Sequence, residues 1–123
     1  MASIDDPAVE DAPAQQSGVT FAPIYEPIET QLLDVDLVSF KAIVRGARGP
    51  EDLRNVTDCA AAQYALIRGY GYARHIRTTL NVEGIVWEAD AAYTISLDVP
   101  RGTNTLDASD TVADCQARGL PTY

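Results

Sequence analysis

The sequence is poor in the side chains that carry most enzyme chemistry. Its 123 residues include one histidine, His75, and two cysteines, Cys59 and Cys115. The cysteines form no C-x-x-C pair, and a single histidine provides no metal-ligand spacing, so redox catalysis and a zinc site are not indicated. We therefore expect no catalytic residue, no metal and no cofactor.

Basic residues are also scarce. The chain has nine of them against 18 acidic residues, for a net charge of −9. Because nucleic-acid binding requires clustered Lys and Arg to meet the phosphates, this balance argues against a nucleic-acid partner. No apolar run approaches the ~20 residues that a membrane-spanning helix needs.

Residues 1–30 lack the features of a folded segment. They contain no basic residue, no apolar periodicity and four of the seven prolines. This composition is typical of an extended or disordered acidic arm. We therefore predict an arm over residues 1–30 and a single α+β domain over residues 31–123.

Changes in hydrophobic period predict the elements of that domain. Alternation in VSFKAIV (38–44) indicates a half-buried strand that ends near Gly46. A period near 3.6 follows and predicts a helix over about residues 50–68, with Pro50 in its first turn and Gly69 after its end.

The rest of the chain indicates further strands and a second helix. YARHIRTTL (72–80) and IVWEADAAYTISLDV (85–99) alternate around an NVEG turn, and we expect a bend or bulge near Ala91–Ala92 in the longer strand. A short strand near 103–107 and a short helix over 109–119 complete the pattern. The expected fold is an antiparallel sheet of three to four strands, with the main helix and the short C-terminal helix on one face.

One strand carries the candidate binding residues. Its alternation predicts that Ala73, His75, Arg77 and Thr79 share a polar face, opposite Tyr72, Ile76 and Leu80. We expect an interaction surface for a protein partner, because Tyr and Arg are enriched in such surfaces. Its residues are Tyr70, Tyr72, Arg74, His75 and Arg77. The alternative is that the tyrosines pack in the core and the arginines are solvated.

Cys59 and Cys115 admit one intramolecular pairing. In the cytosol two such cysteines are usually buried thiols, whereas in a small secreted domain they usually form a bridge. A bridge would join the main helix to the C-terminal helix. It would stabilise the domain by about 4 kcal/mol in the chain-entropy model.

Two stretches, TDCAAAQYALIRGYGYARHIRT and VADCQARGLPT, resemble a group of small predicted envelope lipoproteins of alphaproteobacteria. The resemblance covers about residues 35–122 and implies a strand, a cysteine-bearing helix, further strands and a second cysteine near the C-terminus. It implies a compartment and an architecture but no activity. The small and acidic residues after Met1 also resemble the mature start of a bacterial lipoprotein, although the lipid-bearing cysteine is missing; a natural cytosolic start is the alternative.

Together these features predict a domain in the periplasm, or one anchored to the membrane through lipid at its native N-terminus and facing the periplasm, with a Cys59–Cys115 disulfide. It would act without catalysis, by protein–protein interaction or scaffolding in the envelope. The alternative function is a small-ligand carrier or inhibitor-like module that uses the concave side of the long strand around Trp87 and Tyr93.

Overall fold

The computed structural model describes residues 22–120. The first 21 residues of the predicted arm lie outside that range. The elements, in chain order, are β1 (Ile24–Tyr25), β2 (Glu29–Leu32), β3 (Leu37–Arg45), α1 (Pro50–Ile67), β4 (Tyr72–Glu83), β5 (Val86–Ser96), β6 (Thr105–Asp107) and α2 (Ala108–Ala117).

Local sequence explains where α1 begins and ends. Pro50 occupies the first turn, where its missing N–H costs no hydrogen bond, and the acidic residues Glu51 and Asp52 favour the positive end of the helix dipole. The carboxylate of Asp52 also accepts hydrogen bonds from the backbone N–H and the guanidinium of Arg48. At the other end Gly69 has a φ of 84°, a left-handed conformation that glycine adopts at little cost. The predicted helix is confirmed.

All pairings in the sheet are antiparallel, in the order β1-β3-β5-β4-β6, and β2 also pairs with β3. The central strand β5 lies between β3 and β4, so those two strands run parallel to each other. α1 connects them and packs against β3, β5 and β4 on one face of the sheet. The predicted α+β class is confirmed.

The core lies between α1 and that face of the sheet. Alternate residues of β3 and β5 point into it, as the alternation in both stretches of sequence predicts. The fully buried members from these strands are Val38, Phe40, Ala42, Val44, Ala89, Ala91, Tyr93 and Ile95. Phe40 contacts the rings of Tyr64 and Tyr93 edge to face, with ring centroids 5.8 Å apart in each pair.

The C-terminal helix packs on α1 and beside β6. A disulfide joins Cys59 of α1 to Cys115 of α2, with 6.1 Å between their Cα atoms, and both residues are fully buried. The expected bridge is thus confirmed. No helix in residues 22–120 is long and apolar enough to cross a membrane.

Two expectations about the sheet are wrong. It has six strands rather than three to four, because β1 and β2, which are two and four residues long, are too short to show alternation. The short strand expected near 103–107 is present as β6. The irregularity expected in β5 near Ala91–Ala92 is absent from its register. It lies in β4 instead, where the pairing shifts between His75 and Arg77 and leaves Ile76 as an extra residue.

Candidate functional site

One side of β4 is mostly unpaired. β5 pairs with β4 along its whole length, whereas β6 pairs only with Tyr72, Ala73 and Arg74 on the other side. The N–H of His75 adds one bond on that side, to the carbonyl of Asn104 at 3.1 Å. Beyond this point no strand among residues 22–120 pairs with the outer side of β4. We call residues 77–83 of β4 the free edge.

The position of His75 indicates which backbone groups of the free edge point outward. Its N–H points away from β5, and its side chain faces α1. Along an antiparallel strand, successive residues alternate in two ways at once: in the neighbouring strand to which their N–H and C=O groups point, and in the sheet face to which their side chains point. After the bulge at Ile76, the residues that share the orientation of His75 are Thr78, Leu80 and Val82. Their N–H and C=O groups therefore form the unpaired ladder.

A partly open groove lies between the free edge and the beginning of α1. Its volume is about 330 Å³. The residues that line it are Pro50, Leu53, Arg54, His75, Thr78 and Leu80. Leu80 is 39% exposed and its neighbour on the same face, Val82, is 44% exposed. Unpaired backbone and exposed apolar side chains thus occur side by side.

His75 lies at the inner end of this groove. Its Nε2 is 2.6 Å from Thr78 Oγ1, and its ring meets the Tyr93 ring edge to face with 5.3 Å between centroids. Burial lowers the pKa of His75 below its usual 6.5, and the charge of Arg54 lowers it further, against the opposite effect of Asp58. The imidazole is therefore neutral at pH 7.

A closed polar network lies beneath His75. The hydroxyl of Tyr93 donates to Asp58 Oδ1 and is 3.0 Å from Thr57 Oγ1. Arg54 Nε donates to the same oxygen of Asp58 at 2.8 Å. Burial, and then the charge of Asp58, raises the pKa of Tyr93, so its hydroxyl stays protonated. Burial is the largest single effect on Arg54 and lowers its pKa, but the hydrogen bond and the charge of Asp58, together with smaller contributions from Tyr93, outweigh it, so the pKa of Arg54 is raised.

This network has a structural consequence for the groove. The carboxylate of Asp58 is held by Arg54 and Tyr93 together, and the ring of Tyr93 supports His75 from below. Each of these groups already has a partner within the fold. The network therefore fixes the position of His75 at one end of the groove.

The predicted interaction residues do not share one surface. Tyr70 is partly buried against the core. The register places Tyr72, Arg74 and Arg77 on the sheet face opposite α1, whereas Ala73 and His75 face α1. The prediction that Ala73, His75, Arg77 and Thr79 share a face is wrong, because the extra residue Ile76 reverses the alternation between His75 and Arg77. Whether these side chains bind a partner stays a prediction.

Sequence reasoning missed the free edge and most of the groove. The spacing of Leu80 and Val82 in the sequence does indicate that two apolar side chains share one face of β4, beside the groove. The sequence does not predict that the outer side of β4 is unpaired, because the residues of one strand do not show how many strands pair with it. Among the described residues no group of three or more His, Cys, Asp or Glu side chains is placed to hold a metal ion.

Comparison with known proteins identifies a family and a relative of this chain. The model of the family described as the YNQ4 C-terminal domain matches residues 25–119. A Paracoccus denitrificans protein, described as an uncharacterised 26.9 kDa protein in the nqo8 5′ region, is 32% identical over 85 residues. The match covers 69% of this chain and 33% of that protein, so the chain spans about a third of its relative. No solved structure matches the chain.

Proposed function

The chain belongs to the YNQ4 C-terminal domain family, and from that premise we propose that it is a protein-binding domain of the bacterial cell envelope. It binds by pairing the free edge of β4 with a strand of another protein chain. The observation that carries the proposal is the unpaired ladder of Thr78, Leu80 and Val82 beside an apolar groove. No catalytic step is part of the proposed function.

The sequence of the free edge supports this role. Proteins usually protect an exposed edge with lysine, proline, an added bulge or a covering element. Residues 77–83 read RTTLNVE, with neither proline nor lysine, and their two charges lie at the ends; the bulge at Ile76 precedes this segment and leaves its pairing with β5 regular. An added strand would bond to the backbone of β4 and insert alternate side chains into the adjacent groove. Strand addition to sheet edges is an established mode of peptide recognition.

The disulfide supports the proposed compartment. Disulfides persist in oxidising compartments such as the bacterial periplasm and are rare in the cytosol. Cys59 and Cys115 are linked and fully buried. A periplasm-facing location fits this bond, and the Paracoccus relative is consistent with an alphaproteobacterial origin. The proposal includes a lipid anchor that holds the domain at the membrane, as in the envelope lipoproteins that the sequence resembles.

The small-ligand carrier finds less support in the structure. That function requires an open cavity around Trp87, Tyr93 and Ile95. Tyr93 is 0% exposed and Ile95 is 2% exposed, so neither offers surface to a ligand. Trp87 is partly buried and packs against a cluster of buried residues, Ala42, Val44, Leu53, Val56 and Ala89.

Site-specific photo-crosslinking tests the proposed function. A benzophenone amino acid placed at Leu80 of the full chain, produced in its native host, is expected to form covalent adducts with protein. Mass spectrometry should locate the crosslinked residue of the partner within an extended segment. The reason is that Leu80 lies at the middle of the free edge and its side chain enters the groove.

The matched control carries the same amino acid at Val35, which is 70% exposed in the turn between β2 and β3. The side chain of Val35 is exposed, but it lies in a turn and not beside unpaired strand backbone, so it should give few adducts. Equal yields at Leu80 and Val35, or no adduct at Leu80, would contradict strand addition at this edge.

A further inference from the structure

We propose that the strand added to the free edge is β4 of a second copy of this chain. The two copies would form a symmetric dimer through antiparallel β4–β4 pairing centred on Leu80, with one continuous sheet and both α1 helices on the same face. This inference rests on the proposed function, because it names the partner of the same edge.

The length of the free edge sets the register. Residues 77–83 number seven, and Leu80 is the middle one. A two-fold axis at Leu80 therefore pairs the whole edge, and it places Thr78 opposite Val82 of the second copy. Both of these residues present their backbone groups outward, as Leu80 does. The three positions on each chain would form about six backbone hydrogen bonds.

Charge complementarity selects the same register. With Leu80 at the centre, Arg77 lies opposite Glu83 of the second copy, and symmetry repeats the pair. Opposite charges in directly facing positions stabilise antiparallel pairs. A register centred on Thr79 would place Arg77 opposite Asn81 instead. A register centred on Asn81 would place Glu83 opposite Thr79, so neither alternative pairs the charges.

Apolar contact on the helix side completes the argument. Leu80 would meet Leu80 of the second copy, and Val82 would cover Thr78. These contacts would shield the two apolar side chains that the free edge now exposes. The two grooves would join along Pro50 and Leu53 of each copy. α1 packs on β3 and β5 as well as on β4, so it lies back from the edge and leaves room for a second strand.

Sedimentation velocity of the full chain tests the dimer. The wild-type chain of 13.2 kDa is expected to sediment at twice its mass at micromolar concentrations. Leu80→Lys should weaken association at least about tenfold, because a charge in the centre of an edge opposes pairing. Val35→Lys places the same charge on an exposed loop and should leave association unchanged.

A charge swap tests the register. Arg77→Glu should weaken association about three- to tenfold, because it sets two acidic side chains opposite each other. Combining it with Glu83→Arg restores the opposite pairs and should return the dissociation constant to within about twofold of wild type. Circular dichroism would establish that each variant is folded. A double variant no tighter than Arg77→Glu would overturn this register.

Cysteine crosslinking gives an independent readout. Directly opposed residues of a hydrogen-bonded pair have Cα atoms about 5.5 Å apart, within disulfide range. Leu80→Cys is therefore expected to give a disulfide-linked dimer under mild oxidation. Thr79→Cys should not, because Thr79 lies opposite Asn81 of the second copy. The two substituted residues would therefore not face each other across the pair.

The remaining outcomes separate this inference from the proposed function. A full chain that stays monomeric to several hundred micromolar overturns the dimer. If Leu80 then crosslinks to a different protein in cells, the edge remains the binding site and only the second copy is refuted. If it crosslinks to nothing, both proposals fail. If a chain that begins at Ala22 dimerises while the full chain does not, residues 1–21 occupy the edge and the inference is likewise overturned.

Discussion

Tyr93 connects the core to the groove. Its ring packs against Phe40 and His75, and its hydroxyl reaches Asp58 and Thr57 on α1. A buried hydroxyl without a partner would be costly. The side chain is therefore specified as tyrosine by the polar groups of α1, although its position in β5 requires only a large apolar residue.

Tyr93→Phe is expected to lower the free energy of unfolding by about 1–2 kcal/mol, because the buried hydroxyl makes two side-chain hydrogen bonds. Urea unfolding monitored by circular dichroism would measure the change. Tyr72→Phe, on the opposite face of the sheet, is the control and should stay within about 0.5 kcal/mol of wild type. Equal effects of the two substitutions would show that the network does not support the fold.

The lowered pKa of His75 predicts a dependence of stability on pH. The groups that face His75 are Thr78, Tyr93, Arg54 and Asp58. Since its pKa is lower in the folded chain than in the unfolded one, the unfolded chain binds the proton more tightly. Stability contributed by neutral His75 is present above about pH 6.5 and is lost as the pH falls through the lowered pKa.

His75→Gln should therefore lose less stability than wild type when the pH is reduced from 7.5 to 5.5. The measurement is the free energy of unfolding of both chains at each pH. NMR titration of the imidazole should give a midpoint below 6.5. Identical pH profiles for the two chains would contradict the burial of His75 that the structure shows.

A single covalent bond joins α2 to α1. The helix α2 packs on α1 and beside β6, and Cys115 joins it to Cys59. The two cysteines are separated by 56 positions in the sequence. Closing a loop of that length removes entropy from the unfolded chain worth about 4 kcal/mol.

The double variant Cys59→Ala/Cys115→Ala is expected to lose about 3–4 kcal/mol of unfolding free energy, because the unfolded chain regains the entropy of an open loop. Denaturant unfolding with and without a reducing agent would measure it, and the reducing agent should affect only wild type. A loss below about 1 kcal/mol would mean that helix packing alone holds α2 in place.

The sequence allows different elements to be predicted to different extents. α1 and β5 are long and strongly periodic, so Leu53 and Tyr93 could both be assigned to the core. β1 and β2 lie near Pro23 and Pro27 and are too short for a periodic signal. The bulge at Ile76 was not predictable either, because nothing in the letters of β4 marks an extra residue. That one residue decided which face His75 occupies, and with it the composition of the site.

At the scale of the whole molecule, the proposed compartment predicts the state of the two thiols. Protein isolated from its native host under non-reducing conditions should show both cysteines blocked by intact mass spectrometry. The reason is that the bond between Cys59 and Cys115 is fully buried and would persist in the periplasm. Two free thiols would contradict an envelope location.

Both proposals depend on the free edge of β4, and amide hydrogen exchange measures its backbone pairing residue by residue. In a dilute sample of the full chain the amide of Leu80, which points outward, should exchange quickly, whereas that of Thr79, bonded to β5, should be protected. In a concentrated sample the amide of Leu80 should become protected as the second strand pairs with it, with little change at Thr79. Equal and rapid exchange of Leu80 at both concentrations would contradict the dimer, and protection of Leu80 in the dilute chain would contradict the free edge itself.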